Sequence, residues 1–492
     1  MSTVHTVSLT GFHGHVSTLT ATTTVSTPAI TFIGGRVRGE LELRERVFAA
    51  LTNSGWSIRH HAVEVDLGTA ATPCAAAVAV AILAATADIP AHRLAGTAVL
   101  GEVGLDGSLR ATLGTLPAVQ TARAHGVRRV IVPAAVLNQA SLVDGIEVLG
   151  AHWLTEVTAW LRGDDTALHS FVAATATMVD DGWPPTRALA APVLSTVEIA
   201  AAGGHHLLLD AVDSAGTFLV GQWLHHLLPD LTTAQQLQVA AIRSLIGNLT
   251  EPVLSSTAHL VIAHHGNTLA SLVGDAVPGA VSKAHHSVLV ACDLDQFSSA
   301  ALKVLQHALL QREVTIAHGG HSLHYPAGFQ LFATRIRTLD SRQPQRATPL
   351  LDTIDIRHTL TTAAAVWGRR PDAHEPDQLA RLRAQARTRV GYARARAAAR
   401  WSSITGAVHN GRDVTNTLVS HEVLYALPET IAATIHLRQI LGARFLSPRD
   451  HDVVVRLAWT VADLADADLP DRGHVERALA LRQPAAATRE VR

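Results

Sequence analysis

Residues 205–222, HHLLLDAVDSAGTFLVGQ, have the pattern of an apolar strand, a loop of small residues and a helix. That order is typical of phosphate-binding loops, in which backbone N–H groups surround the phosphates, a lysine contacts the outer phosphates and a hydroxyl binds Mg²⁺. Aligned with the eight-residue template of such loops, the chain reads Ala211, Val212, Asp213, Ser214, Ala215, Gly216, Thr217 and Phe218.

The match to this template is poor. Only Gly216 agrees at a defining position, because Thr217 replaces the lysine and Phe218 replaces the hydroxyl residue. Asp213 adds a negative charge where phosphate would bind. Taken alone, the segment is interpreted as an ordinary strand–turn–helix.

The surrounding residues indicate the elements that position this loop. A helix over 193–204 leads into the strand 205–210, and further strands are predicted at 286–297, 328–336 and 349–356, with a helix over 298–317. Strands that alternate with helices predict a parallel, doubly wound sheet. From about residue 375 the pattern is helical, with two long helices near 377–400 and 449–466.

The first 160 residues predict a separate α/β domain. It has alternating strand patterns near its start, an alanine-rich apolar helix from Ala75, and a hairpin with Asp-Gly at its turn over 96–110. The proposed organisation is an N-terminal domain over 1–162, a linker over 163–186, a core over 187–374 and a helical subdomain over 375–492.

Composition excludes several classes of protein. Lys+Arg is 40 and Asp+Glu is 41 in 492 residues, so no overall charge favours nucleic acid or an anionic membrane. Two cysteines are too few for a disulfide framework or a cysteine-rich zinc module. The most apolar run is too short to cross a bilayer, and the N-terminus lacks a signal peptide's apolar core. We therefore expect a cytosolic protein that does not bind membranes.

Several segments resemble, in the same order, magnesium-chelatase-like AAA+ ATPases of the ComM type. The resemblance rests on EIAAAGGHHLLL at 198–209, on 263–290 and on FLSPRDHDVVVRLAWTVADLA at 445–465. TNSGW at 52–56, with 98–110 and 127–135, looks like the N-terminal domain of that family, which is related to the Lon protease domain. The resemblance implies a Lon-like α/β domain, an AAA+ α/β core and a C-terminal helical lid.

The resemblance also implies what has been lost from the catalytic machinery. The phosphate-loop lysine corresponds to Thr217, and the Mg²⁺-binding hydroxyl residue corresponds to Phe218. The acidic pair that ends the second apolar strand corresponds to Cys292 and Asp293, so the metal-binding aspartate is replaced and the water-activating glutamate is shortened.

The remaining functional positions of the family are also altered. The sensor asparagine corresponds to about Ile336 and the arginine that reaches a neighbouring subunit corresponds to Thr353. Of the lid arginines Arg456 remains, and Trp459 stands three residues later. A vestigial nucleotide pocket would comprise Ala211, Ser214, Ala215, Gly216, Thr217, Phe218, Asp293 and Arg456.

Seven arginines lie within residues 381–400, several at three- to four-residue steps that gather them on part of a helix surface. No acidic residue interrupts the run. One interpretation is a solvated, oligomer-facing surface, and the other is sequence-independent contact with the phosphate backbone of DNA. The candidate DNA-binding residues are Arg381, Arg383, Arg387 and Arg394.

Histidine and cysteine do not indicate a further site. The pairs His264–His265 and His285–His286 match paired histidines of the family, so we expect a structural or interface role and no metal site. Cys74 corresponds to the nucleophile of Lon-type peptidases, but the partner lysine corresponds to about Leu116. Without a base or a cation to form the thiolate, Cys74 is expected to be a small buried residue.

These observations lead to two functional hypotheses. The first is a ComM-like protein without ATP hydrolysis and without a cofactor, which forms a ring-type homo-oligomer or binds an active paralogue and contacts DNA. The alternative is a hexameric DNA helicase that uses ATP with Mg²⁺ in a rebuilt pocket, where Lys283 or Arg243 replaces the lost lysine. A structural remnant without either activity is a third interpretation.

Overall fold

The computed structural model describes residues 2–34, 39–56, 61–68, 74–86, 91–171, 185–211, 216–249, 254–257, 259–336, 349–360, 366–367, 376–405, 414–442 and 446–482. The N-terminal part contains β1 (Ser2–Thr10), β2 (His13–Val25), β3 (Ala29–Ile33), α1 (Glu40–Asn53), β4 (His61–Asp66), α2 (Ala75–Thr86), β5 (Thr97–Val99), β6 (Glu102–Val103), β7 (Leu109–Arg110), α3 (Thr115–Ala124), β8 (Arg129–Pro133), α4 (Leu137–Ala140), β9 (Glu147–Ala151), α5 (Leu154–Leu161) and β10 (His169–Ser170).

A mixed sheet organises this part, in the order β10-β9-β8-β5-β1-β2-β4-β3. Helix α2 packs on β1 and β2, and each residue from Ala75 to Leu83 is buried, which explains why its sequence is apolar on every side. The short antiparallel pair β6–β7 forms the predicted hairpin, with Gly107 at a positive φ of 84° in its turn. The predicted buried helix and the hairpin are both confirmed.

The middle of the chain forms a second α/β unit. Its elements are α6 (Ala191–Gly203), β11 (Leu207–Ala211), α7 (Thr217–His226), α8 (Thr233–Leu245), β12 (Val261–His264), α9 (Leu269–Val273), α10 (Ala280–Lys283), β13 (Val288–Cys292), α11 (Ser299–Gln311), β14 (Glu313–His318), β15 (His321–Pro326), β16 (Gln330–Ile336), α12 (Pro349–Thr353) and β17 (Ile356–Thr359). Five strands form a parallel sheet in the order β12-β13-β16-β11-β17, which confirms the predicted sheet.

Apolar side chains of this core sheet alternate between two faces. Leu209 and Phe332 join the cluster that contains α7, whereas Leu208 and Ala333 join the cluster on the other face. This alternation is expected of a strand that is buried on both faces.

The strand predicted over 286–297 is shorter, Val288–Cys292, and two further elements differ from the sequence prediction. The helix predicted over 298–317 ends at Gln311, because Arg312 adopts a left-handed φ of 56° and the β-branched residues after it form β14 of an antiparallel hairpin with β15. The strand predicted over 349–356 begins only at Ile356. Pro349 opens the short helix α12 instead, a position where proline is tolerated because its missing N–H has no helical partner.

The C-terminal part is helical, with α13 (Pro376–Thr405), α14 (His421–Ala426), α15 (Pro428–Leu441), α16 (Pro448–Leu464) and α17 (Arg472–Arg482). The two long helices α13 and α16 confirm the prediction, and both pack on α6 of the core. Trp401 and Trp459 are buried between them, edge to face with ring centroids 5.9 Å apart. No helix among the described residues is long and apolar enough to cross a membrane.

Candidate functional site

The segment aligned with phosphate loops joins the carboxyl end of β11 to the start of α7. Residues 212–215, with the predicted Ser214 and Ala215, lie outside the described part of the chain. Gly216 precedes α7 at a positive φ of 80°, a conformation that L side chains rarely adopt. A Cβ atom there would come within 2.5 Å of Cζ2 of Trp367, so the indole ring packs directly on Gly216.

Trp367 belongs to a small cluster of contacting residues that the sequence did not reveal. The Arg187 guanidinium stacks on its ring, 3.9 Å from the centroid. The indole N–H of Trp223, on α7, donates to the carbonyl oxygen of Arg187 over 2.8 Å. Leu189 forms a β-bridge with Trp367, so α7, the residues before α6 and the 366–367 segment are tied together beside the loop.

Thr217 and Phe218 occupy the first turn of α7. Thr217, at the lysine position, is only 4% exposed. Phe218 is half-buried. Neither side chain carries the charge that would neutralise a β- or γ-phosphate, and Phe218 offers no oxygen to a metal ion. The start of α7 therefore lacks both the lysine and the metal ligand of such a loop.

A bidentate ion pair joins the carboxyl ends of β11 and β16. Arg335 Nε and Nη2 donate to Asp210 Oδ1 and Oδ2 over 2.7 and 2.9 Å, and the two residues are direct partners in the strand register. Burial alone would lower the pKa of Arg335, but the hydrogen bonds and the charge of Asp210 outweigh it and raise that pKa. Sequence alignment to the phosphate loop gave no reason to single out either residue.

The side chains of this ion pair point away from α7. Asp210 alternates with Leu209 along β11 and Arg335 alternates with Thr334 along β16, so both lie on the face shared by Leu208 and Ala333. Helix α7 packs on the opposite face, where Leu219 contacts the cluster of Leu209. The Arg335 guanidinium is thus held on the far side of the sheet from the start of α7.

Cys292 ends β13 and Asp293 follows it, at the same edge of the sheet. The Asp293 N–H donates to Thr334 Oγ1 over 3.0 Å, and Asp293 adopts a left-handed φ of 56°. Its Oδ1 atom is buried without a hydrogen-bond partner. Burial, and then the charge of Asp293, raise the pKa of the Cys292 thiol, so the residue at the metal-binding position is neutral.

Asp295 adds a further carboxylate to this region. Burial raises its pKa, the charge of Arg335 opposes that effect, and the charge of Asp210 reinforces it. Among the residues that the structure describes, no three His, Cys, Asp or Glu side chains are grouped so that they could hold a metal ion.

The other predicted positions are placed as follows. Ile336 ends β16 opposite Ala211, the last residue of β11. Thr353 is buried and its hydroxyl donates to the Leu350 carbonyl within α12. Arg456 Nε donates to the Val419 carbonyl over 3.0 Å within the helical part. Asp293, Ile336 and the two ends of the loop thus lie together at the carboxyl edge of the sheet. Thr353 and Arg456 instead form hydrogen bonds elsewhere, within α12 and within the helical part.

The arginines of α13 have partners from other parts of the chain, although the run itself contains no acid. Arg387 pairs with Asp230 over 2.8 Å, and Arg383 and Arg394 donate to backbone carbonyls at Pro185 and Ala201. The same holds for the three arginines that were not named as DNA contacts: Arg389 pairs with Glu198, Arg396 with Asp466 and Asp468, and Arg400 with Asp463. The run contains no acidic residue in the sequence, but in the folded structure most of its arginines contact carboxylates or carbonyl oxygens from other elements. Arg381 is exposed.

The peptidase-like position and the paired histidines have structural surroundings. Burial raises the pKa of Cys74 to about 12, and its Sγ lies against the Gly101 carbonyl. The Leu116 side chain is fully buried. The Gly328 N–H donates to His285 Nδ1 over 2.9 Å, and His286 Nε2 lies 2.6 Å from Gln238 Oε1. Cys74, expected to be buried, is half-buried, and both features make contacts within the fold.

Comparison with known proteins is consistent with this architecture. The family described as magnesium chelatase, subunit ChlI, matches residues 191–348; the family described as subunit ChlI of Mg-chelatase matches 21–136; and the family of the ChlI C-terminal part matches 382–482.

The chain also resembles individual bacterial proteins. It is 34% identical to an uncharacterized protein of Mycobacterium tuberculosis over 98% of both chains. It is 28% identical to the uncharacterized protein YifB of Escherichia coli over 68% of this chain and 67% of that one. It is 27% identical to the competence protein ComM of Haemophilus influenzae over 62% of both chains.

Proposed function

The chain belongs to the ComM/YifB-type magnesium-chelatase-like AAA+ family, and from that premise we propose that it retains the family fold without hydrolysing ATP. It acts as an oligomerising scaffold or regulator that associates with DNA and needs no cofactor. Its partners are further copies of itself or an active paralogue.

One observation carries this proposal: the charge at the carboxyl edge of the core sheet. Asp210, Asp293 and Asp295 lie there, and the guanidinium of Arg335 is already bound to Asp210. A nucleotide triphosphate brings several negative charges and needs fixed cations or a metal ion to offset them. With Thr217 buried at the lysine position and Arg335 bound to Asp210, neither residue supplies a cation that would offset the phosphate charges. The residues present therefore do not fit ATP with Mg²⁺.

The two cations considered as replacements for the lysine lie at the other end of the sheet. Lys283 ends α10, ahead of β13, whereas Gly216 follows the carboxyl end of the parallel strand β11. Arg243 lines the same cavity as Lys283, together with Val261, the first residue of β12. Because a five-residue strand spans about 16 Å, neither side chain reaches the loop from the amino edge.

Calorimetric titration of the full chain with Mg-ATP, with and without single-stranded DNA, tests this proposal. We expect no binding heat up to millimolar nucleotide and no phosphate release. A one-site isotherm would contradict it. The R472Q variant, which alters an exposed arginine of α17, is a matched control for nonspecific electrostatic heat.

Nucleotide binding in a rebuilt pocket is the second candidate function, and two observations favour it. The buried Asp293 Oδ1 has no hydrogen-bond partner, which is costly unless a proton or a cation satisfies it. Arg187 lies on Trp367 beside Gly216, so a cation is close to the loop. This candidate requires that D293N and R187Q each abolish an isotherm seen with the unaltered protein.

DNA association and oligomerisation are tested separately. Sedimentation velocity should show a species at a multiple of the chain mass, and a strictly monomeric profile would contradict self-assembly. DNA binding measured by fluorescence anisotropy should weaken with salt, and R381Q should reduce the salt slope by about 0.7, as expected for one lost contact with a single strand. R472Q should leave the slope unchanged.

A further inference from the structure

A cavity of about 390 Å³ lies at the amino edge of the core sheet, between α8, α10 and the start of β12. This volume is within the range of small-molecule sites, which run from roughly 300 to 1,000 Å³. The cavity is on the opposite side of the sheet from Gly216, because the strands between them are parallel. It is therefore separate from the segment aligned with phosphate loops.

Two cations line this cavity. Arg243 lies in the last turn of α8 and Lys283 ends α10. No carboxylate is among the lining residues, and within the described part of the chain neither cation forms an ion pair. A cation at the end of a helix compensates the helix dipole, which accounts for each residue alone. It does not account for two cations from different helices that line one concave surface.

The remaining polar groups favour an anion over a cation. His285 also lines the cavity, and its Nδ1 accepts the Gly328 N–H over 2.9 Å. The Arg243 guanidinium makes one long contact, 3.4 Å from the Asn248 carbonyl, and it retains N–H donors for a ligand. A planar guanidinium and an ammonium group together suit phosphate oxygens.

Apart from Asn248 and His259, the rest of the wall is formed by apolar side chains. They are Val239, Ile242, Ile246 and Val261. Val239 and Ile242 are buried, so an occupant can reach an apolar floor while its charged group stays near the exposed Lys283. A free inorganic anion would leave this wall in contact with water, whereas an anion with an apolar body would cover it.

We propose that this cavity binds a small organic phosphate that carries an apolar or aromatic body. The phosphate contacts Arg243 and Lys283, and the body packs on the apolar wall formed by α8 and β12. The inference does not depend on whether the chain hydrolyses ATP.

The composition of the chain provides a selective test, because Lys283 and Lys303 are its two lysines. Pyridoxal 5′-phosphate is a suitable probe: it carries a phosphate and an aromatic ring, and its aldehyde condenses with an unprotonated amine to give an imine and water. Borohydride then reduces the imine to a stable secondary amine, and peptide mass mapping reports each site. Lys303 is exposed on α11 and serves as the internal control.

We expect saturable labelling of Lys283 at a rate about tenfold above that of Lys303. Phenyl phosphate should protect Lys283 better than inorganic phosphate or phenol does, and should not protect Lys303. R243Q should weaken the protection by phenyl phosphate about tenfold, as expected when a charge-assisted contact is lost. R472Q should leave it unchanged.

Two results would overturn the proposal. One is equal, non-saturating labelling of the two lysines, which would show that the cavity does not concentrate the phosphate probe. The other is protection of Lys283 by a short single-stranded oligonucleotide but not by phenyl phosphate, which would assign the cavity to nucleic acid. The competition uses the unaltered protein, so it remains decisive if R243Q fails to fold.

Discussion

Asp210 and Arg335 face each other on neighbouring parallel strands and form a bidentate ion pair at the carboxyl edge of the core sheet. Their side chains are 8% and 13% exposed, so each charge depends on the other for solvation. Both lie on the face of the sheet opposite α7. The pair therefore stabilises the end of the sheet and holds the Arg335 guanidinium away from the start of α7.

Breaking this pair from one side should be costly. R335M leaves a buried, unpaired carboxylate at Asp210, and we expect it to lower the free energy of unfolding by about 3 kcal/mol. The double variant D210L/R335M should lose less unfolding free energy than R335M alone, because it removes both charges. Scanning calorimetry of the transition that contains the core would measure both.

An exposed pair provides the control for that experiment. Arg472 and Glu476 form an i,i+4 ion pair in which both side chains are at least half exposed. R472M should cost less than about 0.5 kcal/mol, because water solvates both charges. Equal losses in R335M and R472M would show that burial of the Asp210–Arg335 pair has no energetic consequence.

The sequence predicted the parallel core sheet, the buried helix α2 and the two long C-terminal helices because each depends on local periodicity. The Asp210–Arg335 pair could not be predicted, because it depends on the register between strands 125 residues apart.

The surroundings of the loop were unpredictable for the same reason. Nothing local to Trp367 indicates that its ring packs on Gly216 or that Arg187 stacks on it. The α13 arginines also have partners that local sequence does not reveal. Their acidic partners come from distant elements, so counting the charges within the run could not predict them. Local patterns therefore identified the elements, but the charges that decide the site depend on tertiary contacts.

Substitution of Gly216 tests the packing at the loop. G216A places a side chain at a positive φ, at about 1–2 kcal/mol, and also forces Trp367 to move. In the W367A background the new side chain meets no indole ring, so G216A should lower the free energy of unfolding only by the cost of the positive φ. Thermal unfolding of the single and double variants measures this difference.

The matched control is Gly391, within α13, where a Cβ atom would have no neighbouring atom within 4 Å. G391A should stabilise the chain by about 0.5–1 kcal/mol, because glycine is unfavourable within a helix. If G216A were as harmless as G391A, the ring of Trp367 would not pack on Gly216 in solution.

Half-buried His206 should make stability depend on pH. Burial lowers its pKa from 6.5 to about 4, and the charge of Asp355 only partly offsets that effect. Because the unfolded chain binds this proton at a higher pH than the folded chain does, the stabilisation is complete above pH 6.5 and is lost as pH falls toward 4.

The H206N variant isolates this contribution. The asparagine carbonyl can replace His206 Nδ1 as acceptor for the Leu331 N–H, which lies 3.1 Å away, but it does not titrate. Denaturant unfolding at a series of pH values should therefore show a shallower loss between pH 6.5 and 4 in H206N. H321N, at an exposed position of β15, should retain the original slope, and an unchanged slope in H206N would argue against a lowered pKa of His206.

The thiol of Cys74 should be inert, although it occupies the position of a peptidase nucleophile. Its pKa of about 12 leaves roughly one thiolate in ten thousand at pH 8. In the C292A variant, which retains only Cys74, a disulfide reagent should react at least about 100-fold more slowly with the folded protein than with the protein in urea. The folded-state rate should also rise with pH beyond 10 without a plateau, because the thiolate population is still increasing there.

C74A, which retains Cys292, identifies the contribution of the second thiol. Rates for C292A that agree within a few-fold in the folded and unfolded states would indicate an accessible thiolate and would reopen a nucleophilic role for Cys74.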